Sequence, residues 1–220
     1  MEFFLRKVYP WMIEVSSFSP LLPFIVALLL LLKNNNRQFK LLFLFILSTV
    51  AIEAAGQITV YLGTSNNIWL QHLYSPIEFS ILAAIYYQSF KRKYFKRSIL
   101  VSTCLFILFS IGNAVFGEGI MQMNSMVKMV ENVLLISIAI LYFYKVANDL
   151  SITYLDRDPV FLLSCALLIV KSGSTMSSIM FNAALAESYD AARICISIIL
   201  VLNIFFNIAL VFILKRLARN

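Results

Sequence analysis

Histidine, cysteine and charge are all scarce in this chain, and each scarcity excludes a class of protein. His72 is the one histidine, whereas a zinc hydrolase built within a membrane needs several histidine ligands around an open coordination position. The three cysteines, Cys104, Cys165 and Cys195, are odd in number and lie in apolar segments. They are expected to be small apolar side chains rather than disulfides or metal ligands, and no cofactor is expected.

The low content of charged residues is accompanied by a high content of apolar residues. Only 13% of the residues are charged, 61% are hydrophobic, and 19 are phenylalanine. The mean hydropathy is +0.86, and no soluble domain of this size needs so much apolar surface. No soluble domain, linker or low-complexity tract is visible. We therefore expect an all-α, polytopic integral protein of a cell membrane, with a single domain over residues 1–220.

Polar joints divide the sequence into segments of about 20 apolar residues, the length that spans a hydrocarbon core about 30 Å thick. The sequence of residues 1–15 predicts an interfacial helix that is broken at Pro10. No signal peptide with a small-residue cleavage site is visible, so the first crossing is expected to remain in the mature protein. The seven predicted transmembrane helices are Phe18 to Leu32, Leu41 to Tyr61, Ile68 to Phe90, Ser98 to Phe116, Ile120 to Tyr144, Pro159 to Phe181 and Ala191 to Leu214.

Lysine and arginine are concentrated in alternate joints. Cytoplasmic joints retain positive charge, so this pattern predicts an amino terminus outside and a carboxy terminus in the cytoplasm. The net charge of +7 then indicates contacts with membrane lipids, or with a protein partner at these joints, and no nucleic acid. Only Arg6 and Lys7 oppose the trend. The basic residues of the cytoplasmic joints are Lys33, Arg37, Lys40, Lys91, Arg92, Lys93, Lys96, Arg97, Lys145, Arg157, Lys215, Arg216 and Arg219.

Five ionisable residues interrupt the apolar segments, namely Glu53, Glu78, Lys128, Glu131 and Lys171. A charge at the centre of a membrane helix costs about 3 kcal/mol, so exposing all five to lipid would cost on the order of 15 kcal/mol. Counted inward from the outer end of each crossing at 1.5 Å per residue, all five lie roughly 12–16 Å deep. They are therefore expected to face inward and meet in a polar chamber near the bilayer midplane.

Neighbouring polar residues widen the predicted site. Gln57 follows Glu53 by one helical turn. His72 lies near the outer end of the third crossing, where Pro76 deprives its carbonyl of the helical partner. Arg193 begins the seventh crossing and is a further candidate cation, whereas the first and fourth crossings carry few polar groups and are expected to be peripheral. The candidate ligand-binding or ion-binding residues are Glu53, Gln57, His72, Glu78, Lys128, Glu131, Lys171 and Arg193.

Inward-facing charges predict a transporter, or a sensor, of protons or of a small polar or charged solute. With the amino terminus outside, the seven crossings can be divided into groups of three, one and three helices. This layout resembles that of SWEET-type sugar transporters in topology alone. Three alternatives remain open. The charges fix helix register only, or the chain is a non-catalytic subunit that forms an oligomeric pore or binds a partner, or His72 and a serine of residues 172–178 form an intramembrane hydrolase.

Overall fold

The computed structural model describes residues 4–32, 34, 36–64, 66–121, 124–148 and 155–218, with 89% helix and no strand in this part of the chain. A π-helical turn, Phe4–Val8, precedes the first α-helix, and a short 3-10 helix, Leu155–Arg157, precedes the seventh. The α-helices of the described residues are α1 Tyr9–Phe18, α2 Leu21–Leu31, α3 Arg37–Tyr61, α4 Trp69–Ser89, α5 Lys93–Phe116, α6 Ser125–Asn148, α7 Pro159–Glu187 and α8 Tyr189–Leu217.

Six helical segments in the described residues are long and apolar enough to cross a membrane, which indicates a membrane protein. The remaining predicted crossing, the third, corresponds to α4 and does not reach the same apolarity because Gln71, His72 and Glu78 are among its 21 residues. Length and composition therefore support six of the seven predicted crossings. The six segments are Arg6–Leu31, Arg37–Tyr61, Lys93–Phe116, Ser125–Asn148, Pro159–Glu187 and Tyr189–Leu217.

The first of these segments differs from the prediction. Residues 1–15 were expected to form a separate interfacial helix, but α1 leads directly into α2 with one break at Ser19 and Pro20, and both helices pack on α8. Pro10 lies in the first turn of α1, where its missing N–H breaks no helical hydrogen bond. Residues 1–3 lie outside the described residues.

Hydrogen bonds between helix ends show that α3 and α4 run in opposite directions and that α4 and α6 run in the same direction. Near the start of α3, Gln38 Nε2 donates to Ser89 Oγ at the end of α4 over 3.1 Å. Near the end of α6, Lys145 Nζ donates to the Ser89 carbonyl over 2.7 Å. At the other end of the bundle, Asn66 Nδ2 donates to the Met121 carbonyl over 2.9 Å.

The helix ends that meet around Ser89 carry most of the described basic residues, and we call them the basic end. Lys33 and Arg219 lie outside the described residues, and Arg6, Lys7 and Arg193 belong to the opposite end. The described basic residues of the basic end are Arg37, Lys40, Lys91, Arg92, Lys93, Lys96, Arg97, Lys145, Arg157, Lys215 and Arg216.

Helix α4 is the most enclosed element near the centre of the bundle. It packs against α3, α5, α6 and α7, and ten of its 21 residues are buried. By contrast, α2 buries two residues and α5 buries three, as expected for peripheral helices. The core therefore lies around α4, and the buried polar residues of this helix, His72, Ser75 and Glu78, face protein rather than lipid.

The joint predicted over residues 182–190 is almost entirely helical. Helices α7 and α8 are each 29 residues long, and only Ser188 separates them. The Ser188 hydroxyl accepts a hydrogen bond from the Ala191 N–H over 3.1 Å and so caps α8. The joint contains alanine and leucine and lacks proline and glycine, so helix propensity favours continuing both helices to this single residue.

Candidate functional site

Four of the five predicted intramembrane charges form one group in which carboxylates alternate with ammonium groups. Lys128 Nζ lies 2.7 Å from Glu78 Oε2 and 3.0 Å from Glu131 Oε2. Lys171 Nζ lies 2.7 Å from Glu78 Oε1 and 3.7 Å from Glu131 Oε1. Each carboxylate thus faces both ammonium groups, and the formal charges sum to zero. We call these four residues the charge cluster.

Three helices bring the charge cluster together: α4 supplies Glu78, α6 supplies Lys128 and Glu131 one turn apart, and α7 supplies Lys171. Glu78 lies 11 residues before the end of α4 and Lys171 lies 12 residues after the start of α7. At 1.5 Å per residue both are about 16–18 Å from the basic end, close to the middle of a hydrocarbon core about 30 Å thick.

Helix α6 begins at Ser125, five residues later than the predicted crossing. Lys128 is therefore the fourth residue of α6 and lies in its first turn. The carboxylate of Glu118 explains this late start, since it accepts hydrogen bonds from Ser125 Oγ over 2.6 Å and from the Met126 N–H over 3.2 Å. An acid beside the first turn of a helix is favoured by the helix dipole.

Three members of the charge cluster are buried and one is exposed on one side. The exposed fraction of the side chain is 0% for Glu131, 7% for Glu78 and 8% for Lys171, but 41% for Lys128. Lys128 Nζ also lies 5.5 Å from the centre of the Tyr74 ring, and the Tyr74 hydroxyl shares a 2.7 Å hydrogen bond with Thr49 Oγ1 of α3. We call the exposed part of the Lys128 side chain the opening.

The buried residues of helix α3 are all in its first part. Its four buried residues, Phe39, Leu42, Phe45 and Ile46, all lie within its first ten positions. One turn beyond Thr49, Glu53 is half-buried, and Gln57 after it is exposed. Among the described residues, neither makes a hydrogen bond or an ion pair with the charge cluster.

The packing of α3 explains why Glu53 does not join the other four charges. This helix packs against α2, α4 and α8, whereas the lysines of the charge cluster belong to α6 and α7. Spacing along the sequence places Glu53 at a suitable depth, but it does not set the direction in which α3 turns that side chain.

The other two predicted site residues lie away from the charge cluster. His72 is buried on α4, six residues and about 9 Å from Glu78 toward the opposite end, and α4 continues as a helix through Pro76. Arg193 Nη1 lies 3.5 Å from Asp190 Oδ1, and its guanidinium lies 6.0 Å from the centre of the Tyr9 ring. Arg193 thus joins the starts of α8 and α1.

Several buried acceptors around the charge cluster make no hydrogen bond with the described residues. They are Ser75 Oγ, Asn124 Oδ1, Glu131 Oε1 and Asn132 Oδ1. Asn132 does donate through Nδ2 to Thr175 Oγ1, one turn after Lys171, over 2.9 Å. An unsatisfied buried polar group costs about 1–3 kcal/mol, and such groups are concentrated where a protein binds water, ions or ligands.

Toward the basic end, the same three helix faces turn apolar. One turn from Glu78, Glu131 and Lys171 stand leucines that are at most 1% exposed and belong to one hydrophobic core. We call Leu82, Leu135 and Leu167 the leucine layer. It separates the charge cluster from the basic end.

Polar groups return beyond the leucine layer. The Tyr86 hydroxyl shares a 2.8 Å hydrogen bond with Ser164 Oγ, and the Tyr142 hydroxyl donates to Asp158 Oδ2 over 2.6 Å. The sequence does not single out these four residues, although Tyr86 follows Glu78 by eight residues and Ser164 precedes Lys171 by seven, both helical repeats. Since tyrosine and serine are common in apolar segments, that spacing signal is weak.

Comparison with known proteins adds no assignment: no protein-family model, curated protein or solved structure matches the chain.

Proposed function

We propose that this protein is a membrane carrier whose charge cluster binds the transported species, either a proton or a small polar or charged solute. The observation that carries the proposal is the buried arrangement of Glu78, Lys128, Glu131 and Lys171 with one exposed flank. Burying four charges is expensive even when they are paired, and pairing rarely adds stability over an apolar core. Binding and release of a charged species would explain why such a cluster is present, whereas a contribution to stability would not.

The members of the charge cluster have distinct roles in this proposal. Glu131 Oε1 is a buried acceptor whose nearest cation, Lys171 Nζ, is 3.7 Å away, beyond hydrogen-bonding distance, so Glu131 is the proposed proton acceptor. Lys128 is the proposed first contact for an anionic group, because its side chain is 41% exposed. Protonation of Glu131, or an anion at Lys128, weakens one ion pair and releases its partner for movement.

The proposal includes α4 as a seventh crossing, with the amino terminus outside and the basic end in the cytoplasm. Two features support it. Helix α4 runs antiparallel between α3 and α5, and its polar side chains contact α6 and α7. The excess of lysine and arginine at the basic end follows the charge bias of cytoplasmic loops.

The leucine layer supports a carrier over an open channel. Leu82, Leu135 and Leu167 are buried between the charge cluster and the basic end, whereas Lys128 is exposed at the opening. In the proposed cycle, a solute enters at the opening, and movement of α4, α6 and α7 then parts the leucine layer.

Proton flux into liposomes tests the proposal. The purified protein is reconstituted with a trapped pH-sensitive dye, and the internal pH is followed after a pH gradient is imposed. We expect Glu131→Gln to reduce protein-dependent flux at least tenfold, since a neutral amide cannot take up the proton. The matched control is Glu187→Gln, an exposed acid in the last turn of α7 that should leave the flux unchanged.

If the carried species is a solute rather than a proton, Lys128→Gln is the informative variant. The wild type should then show no proton flux but should change its intrinsic fluorescence when carboxylate or ammonium solutes are added, and Lys128→Gln should reduce the carboxylate response. Unaltered proton flux in folded Glu131→Gln, together with no solute response in the wild type, would remove the charge cluster from any transport mechanism.

A further inference from the structure

The basic end contains a cavity that the proposed transport function does not use. Its volume is about 380 Å³, within the range of about 300–1,000 Å³ that small-molecule sites occupy. It lies where the end of α4, the start of α5 and the end of α6 meet. The lining residues are Phe90, Lys91, Arg92, Phe95, Tyr144, Lys145 and Asn148.

The cavity is strongly positive. The seven lining residues include three basic groups, on Lys91, Arg92 and Lys145, and no carboxylate. The Lys145 ammonium is fixed in place, because it donates to the Ser89 carbonyl over 2.7 Å and lies 5.0 Å from the centre of the Tyr142 ring. Lys91 and Arg92 are exposed, so their charges extend to the mouth of the cavity.

Helix α5 starts at the same cavity, since Arg92 and Phe95 are among the lining residues. Helix α5 begins at Lys93, and its N-cap residue, Arg92, provides no side-chain acceptor for the first N–H groups. Unsatisfied N–H groups and the positive end of a helix dipole together favour a bound anion, and phosphate is the commonest such ligand. The start of α5 therefore adds to the attraction that the three side-chain cations exert on an anion.

The remaining wall of the cavity is aromatic. The rings of Phe90 and Phe95 stack with centroids 5.1 Å apart, and Tyr144 is exposed. The cavity lies at the ends of helices that are long enough to span a membrane, where aromatic rings meet the head-group region. A ligand held here therefore has its charge against lysine and arginine and its apolar part against aromatic rings.

We infer that this cavity binds the phosphate of an anionic phospholipid head group. The three cations and the start of α5 hold the phosphate, and Phe95 and Tyr144 contact the glycerol and the first carbons of the acyl chains. A soluble phosphate has the same charge but gains nothing from the aromatic wall, which is why the lipid is the assigned source.

Lipid binding to the purified full chain tests this inference. The protein is prepared in a neutral detergent, and the binding of phosphatidylglycerol and phosphatidylcholine is measured by native mass spectrometry and by the shift in the thermal unfolding midpoint. We expect Lys91→Gln/Arg92→Gln to weaken phosphatidylglycerol binding about 30-fold, from the loss of two cations at the membrane surface. Arg37→Gln/Lys215→Gln removes the same charge from exposed positions of the same end and should bind as the wild type does.

Three results would overturn the inference. Equal binding of phosphatidylglycerol and phosphatidylcholine by the wild type would show that the head-group charge is not recognised. Equal losses in the two double variants would show a diffuse surface effect rather than a site. If inorganic phosphate alone reproduces the full thermal shift of phosphatidylglycerol, the ligand is a soluble phosphate and the lipid assignment fails.

Discussion

The carboxylate of Glu131 is the group in the charge cluster with the least access to solvent, since its side chain is fully buried. Its charge is balanced only by Lys128 and Lys171 among the described residues. Removing one partner of a buried ion pair typically costs about 3–5 kcal/mol, because the other charge is left uncompensated. Replacing a whole pair by apolar residues costs far less stability. Comparing a single with a paired substitution therefore distinguishes a structural role of these charges from a functional one.

Lys171→Met is expected to lower the unfolding free energy by about 3 kcal/mol, because it leaves two carboxylates facing one lysine. The double variant Lys171→Met/Glu131→Leu removes one charge of each sign and should recover most of that loss. Thermal unfolding in detergent, followed by circular dichroism, measures both changes. A double variant that folds but has lost proton flux supports the proposed carrier, whereas retained flux favours charges that only fix helix register.

The stability of the first turn of α6 is expected to depend on pH because of Glu118. Partial burial by itself raises the pKa of Glu118, but hydrogen bonds from Ser125 and Asn113 outweigh it and hold the pKa below the ordinary value of 4.5. A lowered folded-state pKa means that these bonds contribute full stability above pH 4.5 and lose it as the pH falls through the lowered value.

Hydrogen exchange at the first turn of α6 measures this contribution. We expect its amide protons to be protected at pH 6 and to lose part of that protection when the pH is taken well below 4.5. Glu118→Gln should abolish this acid-dependent loss because the amide does not titrate there. If the variant and the wild type lose protection in parallel, another group controls the helix start.

At the scale of the helix, the sequence shows clearly which charged residues interrupt apolar segments. It predicts less well the direction in which each helix turns these side chains. Glu78, Lys128, Glu131 and Lys171 stand out because each interrupts an apolar segment, and the cost of a charge in lipid is enough to predict that they meet. Glu53 interrupts its segment equally, yet it makes no ion pair with the charge cluster among the described residues. Helix rotation depends on packing between distant segments, which the pattern of one segment does not contain.

Leu135→Ala tests the leucine layer as the closed side of the proposed carrier. Leu135 is fully buried, so truncation is expected to cost about 2–5 kcal/mol and to leave a cavity between Glu131 and Tyr142. We expect proton leak through reconstituted protein to rise several-fold, because water then has room between the two polar groups. Leu105→Ala, on the exposed face of α5, is the matched control and should leave the leak unchanged. An unchanged leak in folded Leu135→Ala places the barrier elsewhere.

At the scale of the whole molecule, the distribution of lysine and arginine was the feature most accessible from sequence. The two ends of the bundle differ in charge because most basic residues fall in alternate joints, which can be counted without knowing any contact. The length of α7 and α8 was not accessible in this way. Residues 182–190 contain polar side chains typical of a joint, yet they continue both helices because only Ser188 is needed to reverse the chain.

Whether α4 crosses the membrane determines the side on which every later joint lies, so labelling of single cysteines gives a sharp test. In a background with Cys104, Cys165 and Cys195 replaced by alanine, single cysteines are placed at the exposed positions Leu62, Tyr94 and Ala186. A membrane-impermeant maleimide is then applied to intact cells, with and without permeabilisation of the membrane.

Seven crossings with the amino terminus outside place four crossings, an even number, between residues 62 and 186. Leu62→Cys and Ala186→Cys should then react in intact cells, and Tyr94→Cys should react only after permeabilisation. If α4 stays on one side, residues 62 and 94 share that side and three crossings separate them from residue 186. Joint labelling of positions 62 and 94, with 186 on the other side, would therefore reject α4 as a crossing, whereas a complete reversal of the expected pattern would reject only the orientation.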